Sequence, residues 1–170
     1  HWSWDRILRS CYIKQADTLQ GMYFFEDEFE VETIKRHFDF YEPITVHESS
    51  LSPCVHSIIA AKISYPEKAY EFYLRTARLD LDDYNHDTDD GCHTTSMAGT
   101  WMSIVQGFGG MRIGENKVIF KPFLPKEWTS YRFHVVYRST RLRVEVNKNE
   151  SKISHLAGPE ISIVLHNKQH

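Results

Sequence analysis

The chain has 170 residues, 41% of them hydrophobic and 25% charged, which is the composition of a globular protein long enough to bury a core. Its formal net charge of −3 leaves no basic surplus for a phosphate backbone, so we expect no nucleic-acid partner. No apolar run approaches the ~20 residues of a membrane helix, and three widely spaced cysteines argue against a disulfide framework. These features favour a cytoplasmic protein that does not span a membrane.

Four helices are predicted before residue 110, because apolar side chains recur there at every third or fourth position. Asp27 is a candidate N-cap for the first helix, with Glu30 three residues later. We expect the next three helices over 53–63, 66–79 and 96–107, the last ending at a cluster of glycines. The inward-facing stripes predicted for the first three helices are Val31, Ile34, Phe38 and Tyr41; Val55, Ile58, Ile59 and Lys62; and Tyr70, Tyr73, Leu74 and Ala77.

After residue 110 the apolar residues recur at every second position, which predicts β-strands. Ser139-Thr140 is expected to form a tight link between two of them, although this pair does not favour a primed turn. Helices followed by an antiparallel sheet make an α+β protein. The four predicted strands are KVIFKPF, RFHVVYR, RLRVEVN and EISIVLH.

The stretch DDYNHDTDDGCHTTSMAGTW (82–101) concentrates five aspartates and two histidines in front of the fourth helix. As an EF-hand loop beginning at Asp83 it fails, because Thr88 and Thr94 occupy the sixth and twelfth positions. No C-x-x-C or HExxH spacing supports a zinc site either, so no metal is expected. The aspartates are interpreted as capping or solvated groups, with a catalytic carboxylate pair as the alternative.

Two of the predicted helix starts, 45–53 and 85–96, are rich in hydroxyl groups. Because the links between the helices are short, successive helices run antiparallel and these two starts lie at the same end. Free backbone N–H groups and the positive ends of two helix dipoles suit an anion such as phosphate. Ser and Thr also serve as ordinary caps, and that alternative stays open. The candidate anion ligands are Ser49, Ser50, Thr95 and Ser96, with His47 or His93 as a proton donor.

Several long segments occur in the same order and at the same spacing as in one enzyme family. They are IKQAD (13–17), YEPITVHESSLSPCVHSIIAAKI (41–63), AYEFYLRTARLDLDDYNHDTDDGCHTTSMAGTWMSIVQGFGGMRI (69–113) and FKPFLP (120–125). Through them the chain resembles glycoside hydrolase family 65, the family of maltose, trehalose, kojibiose and nigerose phosphorylases. The resemblance implies a fragment, in which residues 1–110 are the second half of an (α/α)6 barrel and residues 111–170 are a small antiparallel β-sheet domain.

The reaction that the resemblance implies is the phosphorolysis of an α-glucosyl disaccharide, maltose-type, to β-glucose 1-phosphate with inversion. It uses inorganic phosphate as the co-substrate and no metal or organic cofactor. The resemblance implies that Lys14 and Gln15 face the glucose, and it assigns the phosphate side to Ser49, Ser50, His93, Thr95 and Ser96, with His47 beside them. The general-acid glutamate belongs to a motif upstream, so no catalytic residue is expected in this chain, and the full-length protein is expected to be a homodimer.

Two other functions stay open at this point. A hydrolase of the same family, such as a trehalase, needs a carboxylate to activate water, and Glu48 is the candidate for that role. A non-catalytic carbohydrate-binding or interaction module is the third possibility, since the isolated chain lacks the general acid. A truncated barrel also predicts an exposed apolar surface where the missing helices would pack.

Overall fold

The structure, a computed structural model, describes residues 3–47, 49–84 and 86–166. The chain folds into two compact units, divided between Ser103 and Ile104. The first unit is helical and the second consists mainly of β-strands, which confirms the predicted α+β class. The domain division at residue 110 stays a prediction. Within the described ranges, no helix has the length and apolar character needed to cross a membrane.

The first unit is built around one buried helix. Every side chain from Ser52 to Ala60 on that helix is buried, as expected for a helix with neighbours on all sides. Its neighbours approach closely because small polar groups make the contacts: the Ser57 hydroxyl donates to the Ala69 carbonyl at 2.8 Å. The α-helices among the described residues are α1 (Trp4–Leu8), α2 (Asp17–Phe24), α3 (Val31–Tyr41), α4 (Ser52–Lys62), α5 (Pro66–Ala77) and α6 (Thr94–Met102).

The four predicted helices correspond to α3, α4, α5 and α6, whereas α1 and α2 were not predicted. The side chains that each helix buries do not always match the prediction. The α3 helix buries Ile34 and Phe38 as expected, although Glu30 rather than Asp27 occupies its N-cap position. The stripe predicted for α5 is wrong, because Leu74 is exposed while the buried side chains are Ala69, Phe72 and Thr76. Small residues face the neighbouring helices on α5, since close packing of helices leaves little room for larger side chains.

The predicted fourth helix begins two residues earlier than expected and changes from α-helical to π-helical geometry near its end. After α6 the chain continues as a π-helical turn from Ser103 to Phe108, which carries it to the predicted glycine cluster. Gly99 lies where α6 meets α4 and α5. A Cβ atom added at Gly99 would lie 2.8 Å from the Cβ of Cys54 and 3.2 Å from Cγ2 of Thr76.

Replacing Gly99 by Ala is expected to lower the free energy of unfolding by about 1–3 kcal/mol, because the added methyl group has no room between the helices. Gly21, in α2, is the matched control, since an added Cβ there has no neighbour within 4 Å. Gly21→Ala should raise the free energy of unfolding by about 0.5–1 kcal/mol. Urea titrations of the two variants measure both values, and an equal effect of the two substitutions would contradict the packing argument.

The second unit contains two three-stranded sheets, β3-β4-β5 and β1-β2-β6. Side chains alternate between buried and exposed along β3 and β4, so Tyr131, Phe133, Leu142 and Val144 share one buried face. The Tyr131 hydroxyl donates to the Phe108 carbonyl at 2.8 Å. The described strands are β1 (Arg112–Ile113), β2 (Lys117–Phe120), β3 (Ser130–Tyr137), β4 (Thr140–Asn147), β5 (Ser151–Ala157) and β6 (Ser162–Leu165).

Three details of the sheets differ from the predicted antiparallel arrangement. Strand β2 pairs with β6 in parallel, whereas the other described strand pairs are antiparallel. Strands β1 and β5 have no counterpart among the predicted strands. The link between β3 and β4 consists of Arg138 and Ser139, with φ of 48° and 65°, and not of Ser139 and Thr140. Two positive φ angles are the signature of a type I′ turn, so the structure contains a primed turn that its residue types do not favour.

Large apolar side chains are exposed on the first unit. Leu81, Leu8 and Phe24 are exposed to 77%, 74% and 65% of their surface, and Phe25 and Phe40 are nearly as open. Isolated exposed apolar residues are common, but several bulky ones on a single helical unit are not. The exposed apolar surface expected of a truncated barrel stays a prediction, and these side chains are the candidates for it.

Candidate functional site

Three separate segments of the first unit that carry predicted site residues are held together by hydrogen bonds. The segment of Lys14 and Gln15 runs beside residues 44–46, where Ile13 and Thr45 form a parallel β-bridge. The Ile13 N–H donates to the Ile44 carbonyl at 3.0 Å. Farther along, the hydroxyl oxygens of Ser50 and Thr95 lie 3.1 Å apart. Backbone hydrogen bonds therefore join the Lys14–Gln15 segment to residues 44–46, and a pair of hydroxyl groups joins the Ser50 segment to the Thr95 segment.

The two hydroxyl-rich helix starts meet as the sequence predicts. Ser50 comes two residues before α4, and Thr95 is the second residue of α6. Ser50 is half-buried and Thr95 is exposed, so both hydroxyl groups can reach a ligand from solvent. The N-cap positions of the two helices are Leu51 and His93, and neither side chain forms a capping hydrogen bond. Backbone N–H groups at both starts are thus left to other acceptors.

Ser49 partly fits the alternative in which the hydroxyl residues act as ordinary caps of the helix start. Its hydroxyl oxygen accepts a hydrogen bond from the Leu51 N–H at 3.3 Å. This bond is long, and the side chain is half-buried. Ser49 can therefore still donate its own hydroxyl proton to an anion, because accepting from a backbone N–H leaves that proton available.

His93 is held by two aspartates. Its backbone N–H and its Nδ1 donate to the two carboxylate oxygens of Asp80, at 2.9 Å and 2.6 Å, and its Nε2 lies 3.4 Å from Oδ2 of Asp87. The hydrogen bond to Asp80 raises the pKa of His93 above its ordinary value of 6.5, and the charge of Asp87 acts in the same direction. The arrangement therefore favours a fixed imidazolium cation at the start of α6.

His47 turns away from the other predicted ligands and into the core. Its ring is 7% exposed and meets the ring of His56 edge-on, with 4.3 Å between the centroids. Its Nδ1 lies 3.0 Å from the hydroxyl oxygen of Ser52, and its buried Nε2 has no hydrogen-bond partner among the described residues. Burial lowers the pKa of His47 to about 3 and that of His56 to about 4, so both rings are neutral at neutral pH. His47 is thus a buried structural residue in this structure.

Ser96 is also buried, with 2% of its surface exposed. Its hydroxyl donates to the carbonyl of Thr76 on α5 at 2.7 Å. The structure therefore uses the Ser96 side chain to join α6 to α5, and does not bring its hydroxyl to the Ser50–Thr95 contact. Of the two residues predicted to face glucose, Gln15 donates from its side-chain amide to Asp17 at 3.0 Å, and Lys14 is exposed.

The aspartates between 80 and 90 mainly organise their own loop. Asp83 accepts hydrogen bonds from the backbone N–H and the hydroxyl of Thr88, at 3.2 Å and 2.9 Å. Asp82 pairs with Arg78 at the end of α5. No set of three or more His, Cys, Asp or Glu side chains in the described ranges is arranged to hold a metal ion. Glu48, the carboxylate considered for a hydrolase, lies outside the described residues.

The sequence did not predict the residues that hold the predicted site residues His93 and His47 in place. Asp80 fixes His93 from thirteen positions earlier, Ser52 contacts the His47 ring, and Arg75 donates to the His47 carbonyl at 3.2 Å. None of these residues belongs to a spacing motif. The one signal in the sequence was the charge of Arg75, which lies on a helix that packs against the buried helix α4.

A separate cleft of about 460 Å³ lies in the second unit. Trp128 and Phe123 line it together with the β4–β5 turn at Asn147. None of the predicted site residues takes part in it, so the cleft does not mark the predicted site.

Models of one enzyme family match nearly the whole chain. The central catalytic domain of glycosyl hydrolase family 65 matches residues 1–102, and the C-terminal domain of the same family matches residues 111–170. Both matches follow the order predicted from the sequence.

Individual relatives give the same result. Maltose phosphorylase from Bacillus subtilis (strain 168) is 58% identical over 148 residues, which are 87% of this chain and 20% of that protein. The α,α-trehalose phosphorylase from Thermoanaerobacter brockii is 44% identical over 99% of this chain and 22% of its own length. A solved structure, a putative kojibiose phosphorylase from the human microbiome, is 42% identical with a TM-score of 0.90, over 98% of this chain and 22% of that one.

The chain spans about a fifth of the length of these relatives. Both of its units are matched by models of a single family, and the relatives retain far more than 30% identity over most of the chain. The chain therefore belongs to glycosyl hydrolase family 65.

Proposed function

We propose that this chain is the C-terminal part of an inverting disaccharide phosphorylase that cleaves an α-glucosyl disaccharide of the maltose type with inorganic phosphate. The observation that carries the proposal is the 3.1 Å contact between Ser50 and Thr95 at the starts of α4 and α6. It supports an anion site shared by two helices, because the positive ends of both dipoles lie beside that contact. The products are β-glucose 1-phosphate and the acceptor sugar.

The reaction needs little from this chain beyond binding and charge compensation. A phosphate oxygen attacks the anomeric carbon of the glucosyl unit from the face opposite the leaving sugar, and the bond from that carbon to the glycosidic oxygen breaks. A general acid protonates the leaving oxygen. Phosphate is already a nucleophile, so a pocket of hydroxyl groups and a cation takes the place of the general base that a hydrolase needs.

His93 supplies the cation in this proposal. Its ring is fixed by the two bonds to Asp80, while the contact of its Nε2 with Asp87 is longer, at 3.4 Å. Asp87 is the more exposed of the two carboxylates and can turn toward solvent. We therefore expect the Nε2–H group to exchange its contact with Asp87 for a hydrogen bond to a phosphate oxygen when the substrate binds, with the proton remaining on the ring. The hydroxyl groups of Ser49, Ser50 and Thr95 would donate to the other phosphate oxygens.

The other residues named from the sequence keep their proposed parts. Lys14 and Gln15 would contact glucose, since the β-bridge beside them holds their segment against the chain that leads to Ser49 and Ser50. Ser96 and His47, predicted as phosphate ligands, would act through the helix starts they support. The general-acid glutamate would come from the part of the protein that precedes this chain, so no catalytic residue is assigned here.

The exposed apolar side chains of the first unit support the proposal that this chain completes a larger (α/α)6 barrel. Leu8, Phe24 and Phe40 would be buried by helices that precede the chain. The full-length protein is proposed to be a cytoplasmic homodimer that uses no metal or organic cofactor. The free thiols of Cys11, Cys54 and Cys92 are consistent with a reducing compartment.

Incubating the full-length protein with maltose and phosphate is expected to give β-glucose 1-phosphate in an amount equal to the maltose consumed. Maltose is the first choice because the identity to the maltose phosphorylase is 58%, against 44% for the trehalose phosphorylase. Trehalose and kojibiose, each with and without phosphate, complete the measurement, and proton NMR reports the anomer released.

Two controls accompany this experiment. The 170-residue chain alone should cleave none of the three sugars, because it lacks the proposed acid. Release of glucose by the full-length protein at the same rate without phosphate would refute the phosphorylase and favour the hydrolase.

A further inference from the structure

Arg75 on α5 contacts two loops that are far apart in sequence. Its Nη2 donates to the backbone carbonyl of His47 at 3.2 Å. The guanidinium carbon lies 4.5 Å from the centre of the Tyr84 ring, within the range of a cation–π contact. One side chain therefore touches the segment that leads to Ser50 and the acidic loop that precedes His93.

The first of these contacts falls on a strained residue. His47 has φ of 53°, a left-handed conformation that residues other than glycine rarely adopt. The strain persists because the residue is held from both sides: its ring packs in the core against His56 and Phe72, and its carbonyl accepts from Arg75. Among the described residues, the Arg75 guanidinium is the group that fixes the His47 carbonyl in its orientation toward α5.

The second contact falls on the loop that positions the cation. Tyr84 lies between Asp80 and Asp87, the two carboxylates that bind the His93 ring. The backbone N–H of Tyr84 donates to the Leu79 carbonyl at 3.1 Å. This bond ties the residue that carries the ring to the beginning of the same loop. Stacking on Tyr84 thus fixes this loop relative to α5.

We infer that Arg75 is a positioning residue for phosphate, whose guanidinium holds the Ser50 segment and the His93 loop at a fixed separation. The inference rests on the proposed function, since it takes Ser50 and His93 as phosphate ligands. Arg75 does not touch phosphate in this account. Its planar group suits the role because one edge donates a hydrogen bond while one face stacks on a ring, and a lysine ammonium cannot do both in the same geometry.

Replacing Arg75 by Lys in the full-length protein is expected to raise KM for phosphate about tenfold, which is about 1.4 kcal/mol of binding free energy. The KM for the disaccharide should stay within about twofold, because neither contact involves the glucose segment. Arg78→Lys is the matched control. Arg78 follows α5 directly and pairs with Asp82 at the surface, so the same substitution there should leave both KM values unchanged.

A double-mutant cycle tests whether the stacking contact is part of the effect. Tyr84→Leu alone should raise KM for phosphate about threefold, whereas in the Arg75→Lys background it should add almost nothing. Equal effects of Tyr84→Leu in the two backgrounds would overturn the stacking step.

Hydrogen exchange provides a readout that does not depend on turnover. Arg75→Lys should increase amide exchange in residues 47–52 and 79–93 together, while Arg78→Lys should not increase it in residues 47–52. An Arg75→Lys variant with unchanged exchange in these segments, or with both KM values raised equally, overturns the inference. If the wild-type protein needs no phosphate, the proposed function fails, and the exchange experiment still decides whether Arg75 joins the two loops.

Discussion

Replacing His93 by Asn in the full-length protein is expected to lower kcat/KM for phosphate about 100-fold. A hydrogen bond from a charged donor contributes about 1.5–3 kcal/mol, and the neutral Asn amide provides no charge to compensate the phosphate. The backbone N–H of residue 93 can still donate to Asp80, so the loop should keep its shape. Steady-state kinetics at varied phosphate and saturating disaccharide measure the change.

The pH dependence of phosphate affinity tests whether His93 acts through the charge of its imidazolium. The hydrogen bond to Asp80 raises the pKa of His93 and so extends the imidazolium to higher pH, and the charge is lost as the pH rises through that pKa. Phosphate affinity of the wild-type protein should therefore fall at high pH, and the ratio of wild-type to His93→Asn affinity should fall with it. The titration of phosphate itself cancels in that ratio. A ratio that does not change with pH would show that His93 acts without its charge.

His86 offers the matched control for His93. It lies in the same acidic loop, but its side chain is 88% exposed and its nearest carboxylate, on Asp83, is 3.6 Å away. Its φ of 57° suits Asn, which tolerates the left-handed region. His86→Asn should therefore leave kcat/KM for phosphate within about twofold. A loss as large as that of His93→Asn would mean that the loop responds to any substitution.

Lowering the pH from about 7 to about 5 is expected to destabilise the first unit through His56, and His56→Phe should remove about 2 kcal/mol of that loss. The pKa of His56 is about 4 in the folded protein, because burial disfavours the charged ring, and about 6.5 in the unfolded chain. Between these values the unfolded chain binds a proton that the folded protein does not. The contribution to stability is therefore complete above pH 6.5 and is lost as the pH falls.

Urea titrations of the full-length protein at the two pH values measure this effect. Any constant packing penalty of the larger Phe ring, next to Phe72 and His47, cancels in the difference between the two pH values. His37→Phe is the control: its ring is half-buried and bonds to the Thr33 carbonyl of its own helix, outside the buried cluster. His37→Phe should retain the wild-type acid loss, and the prediction fails if His56→Phe retains it as well.

The positions of α3 to α6 could be predicted from the sequence, but α1 and α2 were missed, and the buried face was not always assigned correctly. Pro53 and Pro66 gave the helix starts correctly, because proline suits only the first turn. The stripe of α5 was misassigned because large apolar residues were taken to face the core. In the structure Ala69 and Thr76 face α4 and α6, while Leu74 is exposed, since close helix contacts select for size as much as for hydrophobicity.

The site itself could be predicted only in part. The prediction that the Ser50 and Thr95 segments lie together is confirmed. Its premise of short links holds between α4 and α5 but not between α5 and α6, which are joined by residues 78–93. The direction in which each side chain points did not follow. Ser96 turns to the Thr76 carbonyl and His47 turns into the core. Their orientations depend on helix phase and on a left-handed backbone residue, which sequence patterns do not reveal.

The strands show the same limit for long-range pairing. Alternation identified β3 and β4 well, whereas β5 was missed because half of its side chains are exposed without a clear period. The parallel pairing of β2 with β6 depends on the path of the whole chain, and local residue patterns contain no information about it.

This parallel pair also affects the order in which the second unit can assemble during synthesis. The three strands β3, β4 and β5 follow one another and pair with their neighbours in sequence, so they can form as the chain leaves the ribosome. Strand β2 is made before them, but its partner β6 is made after them. Until Ser162–Leu165 emerges, one edge of β2 stays open to other chains. In the interval between the synthesis of β2 and that of β6, the nascent second unit therefore carries an unpaired strand edge that can pair with other chains.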